Sequence, residues 1–136
     1  MSFTAKAAKS AKDENELSRS ILDAAFRIHS ALGPGLLEGA YEACLAYELR
    51  AEGLSVLTQV PLPFIYREVK LDVGYRLDLL VEDLVIVEAK SIDALAAIHQ
   101  AQLISYLKLS GKRLGLLINF NVVRLKDGIK RLVNGL

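Results

Sequence analysis

The chain has 136 residues, of which 52% are hydrophobic and 24% charged, with a formal net charge of +1. That length is a prior for one domain, since domains commonly run to about 100–200 residues; a chain of this size buries roughly two thirds of its unfolded surface and needs no disulfide or metal staple to fold. The mean hydropathy of +0.30 excludes a disordered chain, and apolar runs such as Leu84–Val87 fall far short of the ~20 residues of a bilayer-spanning helix. Met1 to Asn15 mixes Lys, Ser, Ala, Asp and Glu without an apolar stretch, so no secretory signal is expected. The single Cys44 allows neither an intramolecular disulfide nor a zinc cluster of cysteines. The expectation is a soluble cytoplasmic domain of α/β or α+β class.

Residues 1–14 are polar, small and aperiodic, and read as a flexible tail, leaving residues 15–136 as one domain. Leu17, Ile21, Ala24, Ile28 and Leu32 recur at helical spacing, and Gly33-Pro34-Gly35 ends that helix. A second helix is predicted from Leu36 to Glu52, with Leu37, Ala40, Tyr41, Cys44 and Leu45 on one side and Gly53 after it. The period then changes to two. Val56 to Tyr66, Val69 to Leu80 and Leu84 to Lys90 read as strands, with Pro61 and Pro63 confining the first to a sheet edge. Glu82-Asp83 marks the turn between the second and third. Ile92 to Ser110 reads as a helix, apolar on most faces and therefore well buried. Leu114 to Asn119 is a short apolar strand. Val122–Leu125 and Ile129–Val133 flank Lys126-Asp127-Gly128, a hairpin signal. The expected order is α-α-β-β-β-α-β with a C-terminal β-hairpin.

The chemistry-bearing stretch runs from Asp78 to Lys90. With Glu82-Asp83 or its neighbours at the turn, hairpin partners have residue numbers summing to 165 or 166, so Asp78 falls opposite or nearly opposite Glu88. Facing Cβ atoms on adjacent strands lie roughly 4.5–5.5 Å apart, and alternation puts Lys90 on the same face as Glu88. Two carboxylates that close repel; a divalent cation such as Mg²⁺ resolves the conflict and keeps waters for a substrate phosphate to displace. The bland reading is a pair of solvent-facing strand residues bridged by Lys90, worth little energetically. Leu77, Leu79, Leu80, Val85, Ile86 and Val87 weigh against it, because they predict a strand pair covered on both faces, where lone charges are costly.

Glu38 and Tyr41 stand three apart near a helix start, neighbours on its surface, although an acid there also complements the helix dipole and a Tyr on an apolar stripe is commonly core. His99, Gln102 and Tyr106 share one face of a later helix and need either a polar site or solvent. The net charge also hides an asymmetry. From Leu107 onward, Lys108, Lys112, Arg113, Arg124, Lys126, Lys130 and Arg131 stand against Asp127 alone, a net +6, which leaves −5 for residues 1–106. A basic end of this kind suits a polyanion, or simply solvates strand edges.

Gly35-x-x-Glu38-x-x-Tyr41, then Asp78, then Glu88-Ala89-Lys90, then Gln102-x-x-x-Tyr106 is similar to the pattern of the GxxExxY protein family, grouped with the PD-(D/E)XK nuclease superfamily of Holliday-junction resolvases, restriction endonucleases and RecB-like exonucleases. The resemblance runs from about Leu17 to the C-terminal strands. It implies an α/β, restriction-endonuclease-like core with a mixed central sheet flanked by helices. It also implies Mg²⁺ or Mn²⁺ held by Asp78, Glu88 and the Ala89 carbonyl, with Glu38 approaching through water and Lys90 as the catalytic lysine. Tyr41, His99, Gln102 and Tyr106 would support the site. Leu77 stands where the superfamily's name has proline. The implied activity is hydrolysis of nucleic-acid phosphodiester bonds, DNA ahead of RNA, with the basic residues holding the backbone and no membrane partner. A homodimer would let so small a nuclease act on two strands. The alternatives are a nucleic-acid-binding or regulatory module that keeps the fold without cleaving, and a structural homo-oligomer.

Overall fold

A computed structural model describes residues 12–136. The first helix, α1 (Glu14–Leu32), begins with a capping box: the Asp13 carboxylate accepts from the Glu16 N–H at 2.8 Å, while the Glu16 side chain accepts from the Asp13 N–H. Asp13 and Glu14 thus belong to the helix, not to the expected tail, and residues 1–11 lie outside the described residues. Helix α2 (Glu38–Ala51) starts two residues later than expected and packs on α1. Arg27 clamps the two, pairing with Glu48 at 3.0 Å and Glu52 at 2.9 Å.

Five strands form a mixed sheet in the order β1-β4-β5-β6-β7: β1 (Val56–Pro61), β4 (Arg76–Val81), β5 (Val85–Lys90), β6 (Leu114–Asn119) and β7 (Ile129–Val133). Only β5 and β6 run parallel, joined through helix α3 (Ala97–Ser110). Leu79, Val81, Val85, Val87, Leu116 and Ile118 face α1 and α2, whereas Leu80, Ile86 and Leu117 face Leu103, Tyr106 and Leu107 of α3. The sheet is therefore covered on both faces, as its continuous apolar strands predicted. Among the described residues no helix is long and apolar enough to cross a membrane.

Five expectations change. The strand predicted over Val56–Tyr66 breaks after Pro61, and the one over Val69–Leu80 breaks after Leu71. Their distal parts, β2 (Phe64–Tyr66) and β3 (Val69–Leu71), make a separate two-stranded sheet. Prolines 61 and 63 donate no N–H to continue the ladder, and Arg67 and Glu68, both at positive φ, turn the small hairpin sharply. As Pro61 and Pro63 implied, β1 is an edge strand.

The helix predicted from Ile92 begins only at Ala97, because the Ile92 backbone is held elsewhere. Asn119, almost fully buried, accepts from the Ile92 N–H at 3.1 Å and donates to its carbonyl at 3.0 Å. Helix α3 is also far less buried than its apolar composition suggested, with Leu103, Tyr106 and Leu107 buried and Ile98 and Leu109 exposed. Finally, Lys126-Asp127-Gly128 is no hairpin turn: Leu125–Gly128 is a short 3-10 helix, and β7 pairs with β6.

Gly128 is needed because a Cβ there would fall against the Asn119 backbone carbonyl and a Val122 methyl. Gly128→Ala is expected to cost about 1–3 kcal/mol, a drop of several degrees in Tm. Gly39→Ala, which meets open space in a helix, is expected to raise Tm slightly. Thermal melts of the two variants beside wild type check both.

Candidate active site

The turn after β4 settles the register. Glu82 and Asp83 both take positive φ, the Leu84 N–H donates to the Val81 carbonyl at 3.0 Å, and Val81 pairs with Val85, Leu80 with Ile86 and Leu79 with Val87. All three pairs sum to 166, so the next pair in line is Asp78 and Glu88. There the backbone ladder stops and the side chains take over its hydrogen bonds. The Asp78 N–H donates to Glu88 Oε2 at 2.9 Å, and the Ala89 N–H donates to Asp78 Oδ2 at 3.0 Å. Each carboxylate is fixed to the partner strand by one oxygen.

Glu88 is only 5% exposed, which removes the reading of it as a solvent-facing strand residue. On its other side β5 pairs with β6, Glu88 opposite Leu117 and Lys90 opposite Asn119. Burial pushes the Glu88 carboxyl from its ordinary 4.5 up to about 8, and the Asp78 charge pushes the same way; the Asp78 N–H and Lys90 oppose them. Asp78 is also raised, chiefly by burial with Glu38 adding, against the Ala89 N–H and the Lys90 charge. Among the described residues Lys90 closes no salt bridge to either carboxylate. It remains a nearby cation acting on both.

Helix α2 brings its first turn to this end of the sheet. Glu38 Oε2 accepts from the Ser91 N–H at 3.2 Å, and the Ser91 hydroxyl donates to the Leu36 carbonyl at 2.5 Å. These bonds join the end of β5 to the helix start. Tyr41, three residues on, turns inward. It is fully buried, its ring stacks on Phe120 at 4.4 Å, and its hydroxyl donates to the Gly33 carbonyl at 2.5 Å while accepting from the Leu36 N–H. Tyr41 is thus a core residue that holds the Gly-Pro-Gly turn, and its part in the site is indirect.

Two residues were not singled out from the sequence. Glu42, one helical turn after Glu38, accepts from Gln59 Nε2 at 2.7 Å. Burial raises its carboxyl, and the Asp78 charge adds to that. Gln59 itself faces Asp78 across the β1–β4 pairing, between Thr58↔Leu79 and Val60↔Leu77, in a strained backbone with φ of 52°, and its side chain acts to lower the Asp78 carboxyl against the effect of burial. The i, i+4 spacing to Glu38 was the available signal for Glu42. Gln59 had none, because its position depends on a pairing remote in sequence.

On α3, Tyr106 is buried beside the carboxylates: burial raises its phenol, and Glu88 then Asp78 contribute through their charges. Gln102 is exposed one turn before it. His99 is turned to the helix start, where its Nδ1 accepts from the Ala96 N–H at 2.8 Å; the ring caps α3, and that bond leaves the proton on Nε2.

The basic residues do not form one surface. Lys112 pairs with Asp83 at 3.0 Å, and Arg113 makes a two-pronged contact with the buried Glu14 at 3.1 and 3.2 Å. Both sit before β6, where Leu114 pairs with Val85, and so at the far end of the sheet from Lys90 and Asn119. Five residues at about 3.3 Å each separate those ends. Arg131 donates to Asn15 at 2.6 Å, and Lys130 beside it points to the opposite sheet face. Lys108 is exposed on α3. Arg124 and Lys126, exposed in the segment after β6, lie at the carboxylate end. The parallel crossover and strand alternation scatter what the sequence places together.

A divalent cation fits the donor set. Two facing carboxylates, one of them driven toward its neutral form by burial and further by the charge of the other, are stabilised by an added positive charge, and all-oxygen donors suit Mg²⁺ or Mn²⁺. Among the described residues no three His, Cys, Asp or Glu side chains close into a cluster; Mg²⁺ commonly takes one or two carboxylates and completes its shell with water and phosphate.

In the protein without metal, the folded state holds a proton on Glu88 across the window from about 4.5 to about 8 that the unfolded state has released. Its contribution to stability therefore falls as pH rises through that window. Glu88→Gln, neutral throughout, is expected to gain on wild type from pH 5 to pH 8, read as urea midpoints in EDTA.

Over residues 15–132 the sequence matches the family described as the PD-(D/E)XK nuclease superfamily. No curated protein and no solved structure gives a significant match. Three helices around a mixed five-stranded sheet are consistent with the restriction-endonuclease-like fold of that superfamily. The chain belongs to the PD-(D/E)XK nuclease superfamily.

Proposed function

We propose that this protein hydrolyses phosphodiester bonds in nucleic acid, DNA ahead of RNA, with Mg²⁺ or Mn²⁺ as cofactor. The observation that carries the proposal is the Asp78–Glu88 pair: two carboxylates pinned face to face at the end of a covered sheet, with Lys90 next to them. An arrangement that raises both carboxyl pKa values is costly as architecture alone and useful as a cation site. Gly35-x-x-Glu38-x-x-Tyr41 further supports a place in the GxxExxY branch of the superfamily.

Asp78, Glu88 and the Ala89 carbonyl would hold the cation, with Glu38 reaching it through water. The bound ion supplies Lewis-acid polarisation of the phosphate and an activated water. Lys90 carries a fixed positive charge where negative charge builds on the phosphoryl oxygens, and its ammonium orients the attacking water in line with the leaving oxygen. Glu88, neutral near pH 7 without metal, would give up its proton to solvent on ligating the cation. Gln59, held by Glu42, would help position Asp78 from the β1 side. Arg124 and Lys126 are the basic residues best placed to meet the strand near the site, by phosphate contacts that are salt-sensitive and weakly sequence-selective.

Cleavage of single-stranded, duplex and branched DNA in Mg²⁺ or Mn²⁺ tests the reading. Asp78→Ala, Glu88→Ala and Lys90→Ala are each expected to lose at least a hundredfold in rate, and EDTA to abolish turnover. Equal products from wild type and Asp78→Ala, or none on any substrate, would overturn it. Nucleic-acid binding that is identical with and without Mg²⁺ and never followed by cleavage would favour the non-catalytic module.

A further inference from the structure

On the α3 side of the sheet lies a groove of about 440 Å³, lined on one side by Phe64 and Tyr75 and on the other by Ile98, His99, Gln102 and Tyr106 of α3. That volume is in the range of small-molecule clefts, roughly 300–1,000 Å³. Its aromatic rings meet at angles: Phe64 to Tyr75 at 6.3 Å and 85°, Tyr75 to Tyr106 at 5.9 Å and 57°. The core pair Tyr41–Phe120 is instead parallel, at 4.4 Å and 6°, and fully buried. Core aromatics seal their faces together; those of the groove do not, and Tyr75 is 41% exposed. The opposite wall offers hydrogen-bonding groups at successive turns of one helix, Gln102 and the Nε2–H that the His99 cap leaves over.

The groove reaches toward the candidate site through Tyr106, which shares a buried cluster with Ile86 and with Leu117, the strand partner of Glu88. Tyr106 lines it and also feels the charges of Glu88 and Asp78. Tyr75 precedes Asp78 by three residues, roughly 10 Å along the chain at about 3.3 Å per residue. Arg76 at the start of β4 and Lys90 at the end of β5 flank the carboxylates with positive charge. A strand whose phosphate sits at Asp78 and Glu88 therefore brings an adjoining base to the aromatic wall.

We infer that the substrate presents unpaired bases next to the cleaved bond, and that the groove holds one of them by stacking on Tyr75 and Phe64, with Gln102 and His99 reaching its polar edge. This rests on the nuclease reading above. A base inside a duplex has both faces covered by its neighbours, so it cannot stack on Tyr75 without leaving the helix. A single strand, a flap or a frayed end pays no such penalty, and stacking on an aromatic ring tolerates any base.

Binding of a single-stranded DNA oligonucleotide carrying 2-aminopurine, and of the same sequence as a duplex, tests this on the full chain with Ca²⁺ in place of Mg²⁺. Wild type is expected to bind the single strand more tightly and to quench the probe by stacking. Tyr75→Leu and Phe64→Leu, which keep apolar bulk without a ring, are expected to weaken single-strand binding roughly five- to hundredfold and to relieve the quenching. Tyr75→Phe is expected to restore both, and duplex affinity to stay unchanged throughout. Circular dichroism checks each fold; if Tyr75→Leu is unfolded, Phe64→Leu decides. Equal affinity for both forms, or wild-type binding by the leucine variants, would overturn the inference. Cleavage that needs Asp78 but ignores these rings would leave the nuclease reading standing and the groove refuted. Ring-dependent binding without any cleavage would do the reverse.

Discussion

The substitution of two side chains for two rungs of the β4–β5 ladder is the constraint on which this molecule turns. Backbone N–H groups inside a covered sheet must find acceptors. At Asp78 and Ala89 those acceptors are the carboxylates of Glu88 and Asp78, not main-chain carbonyls. The exchange fixes both acids to within a hydrogen bond of the opposite strand, so neither can swing away from the other. It also leaves Glu88 buried beside the apolar cluster of Ile86, Leu117 and Tyr106, with Asp78 partly buried next to it. Burial first, with like charge from Asp78 on Glu88 and from Glu38 on Asp78 after it, holds both carboxyl pKa values above their ordinary range, and the same crowding of acids suits a divalent cation.

Much of the surrounding polar structure holds that end of the sheet in place. Asn119 closes β6 and keeps the chain after Lys90 from winding early into helix. Ser91 joins the same segment to Glu38 and Leu36, and Tyr41 fastens the turn before α2 from inside the core. The Gly-x-x-Glu-x-x-Tyr element thus divides its labour across one helical turn: Glu38 ties the helix to Ser91 at the end of β5 and adds its charge to that felt by Asp78, while Tyr41 anchors the helix start. On the other flank Gln59, which faces Asp78 across the β1–β4 pairing, is held by Glu42.

The basic C-terminal section shows how little linear charge says about surface charge. Arg113 is drawn to the buried Glu14 at the start of α1, and Lys112 to Asp83 at the turn between β4 and β5. Both are spent on architecture at the far end of the sheet. Arg124 and Lys126 come back to the carboxylate end because β6 runs parallel to β5 and the chain emerges beside Asn119. Helix α3 carries a related lesson. Its apolar composition suggested full burial, yet one side of it faces the aromatic groove and solvent, so exposed Ile98 and Gln102 sit on the same element as buried Leu103 and Leu107.

Local pattern settled the parts of this protein that depend on near neighbours. The stripe from Leu17 to Leu32, the stop at Gly33-Pro34-Gly35 and the turn at Glu82-Asp83 all act over a few residues, and the turn alone narrows the register until Asp78 meets Glu88. Contacts between distant segments governed the rest. Whether Glu88 would be wet or dry depended on β6 and α3 closing over it, and whether Ile92 would begin a helix depended on Asn119, twenty-seven residues away. The approach of Gln59 to Asp78 required β1 to reach the edge of the sheet. Periodicity and turn chemistry are properties of short stretches; burial, electrostatic environment and shared surfaces exist only once the chain has brought remote residues together.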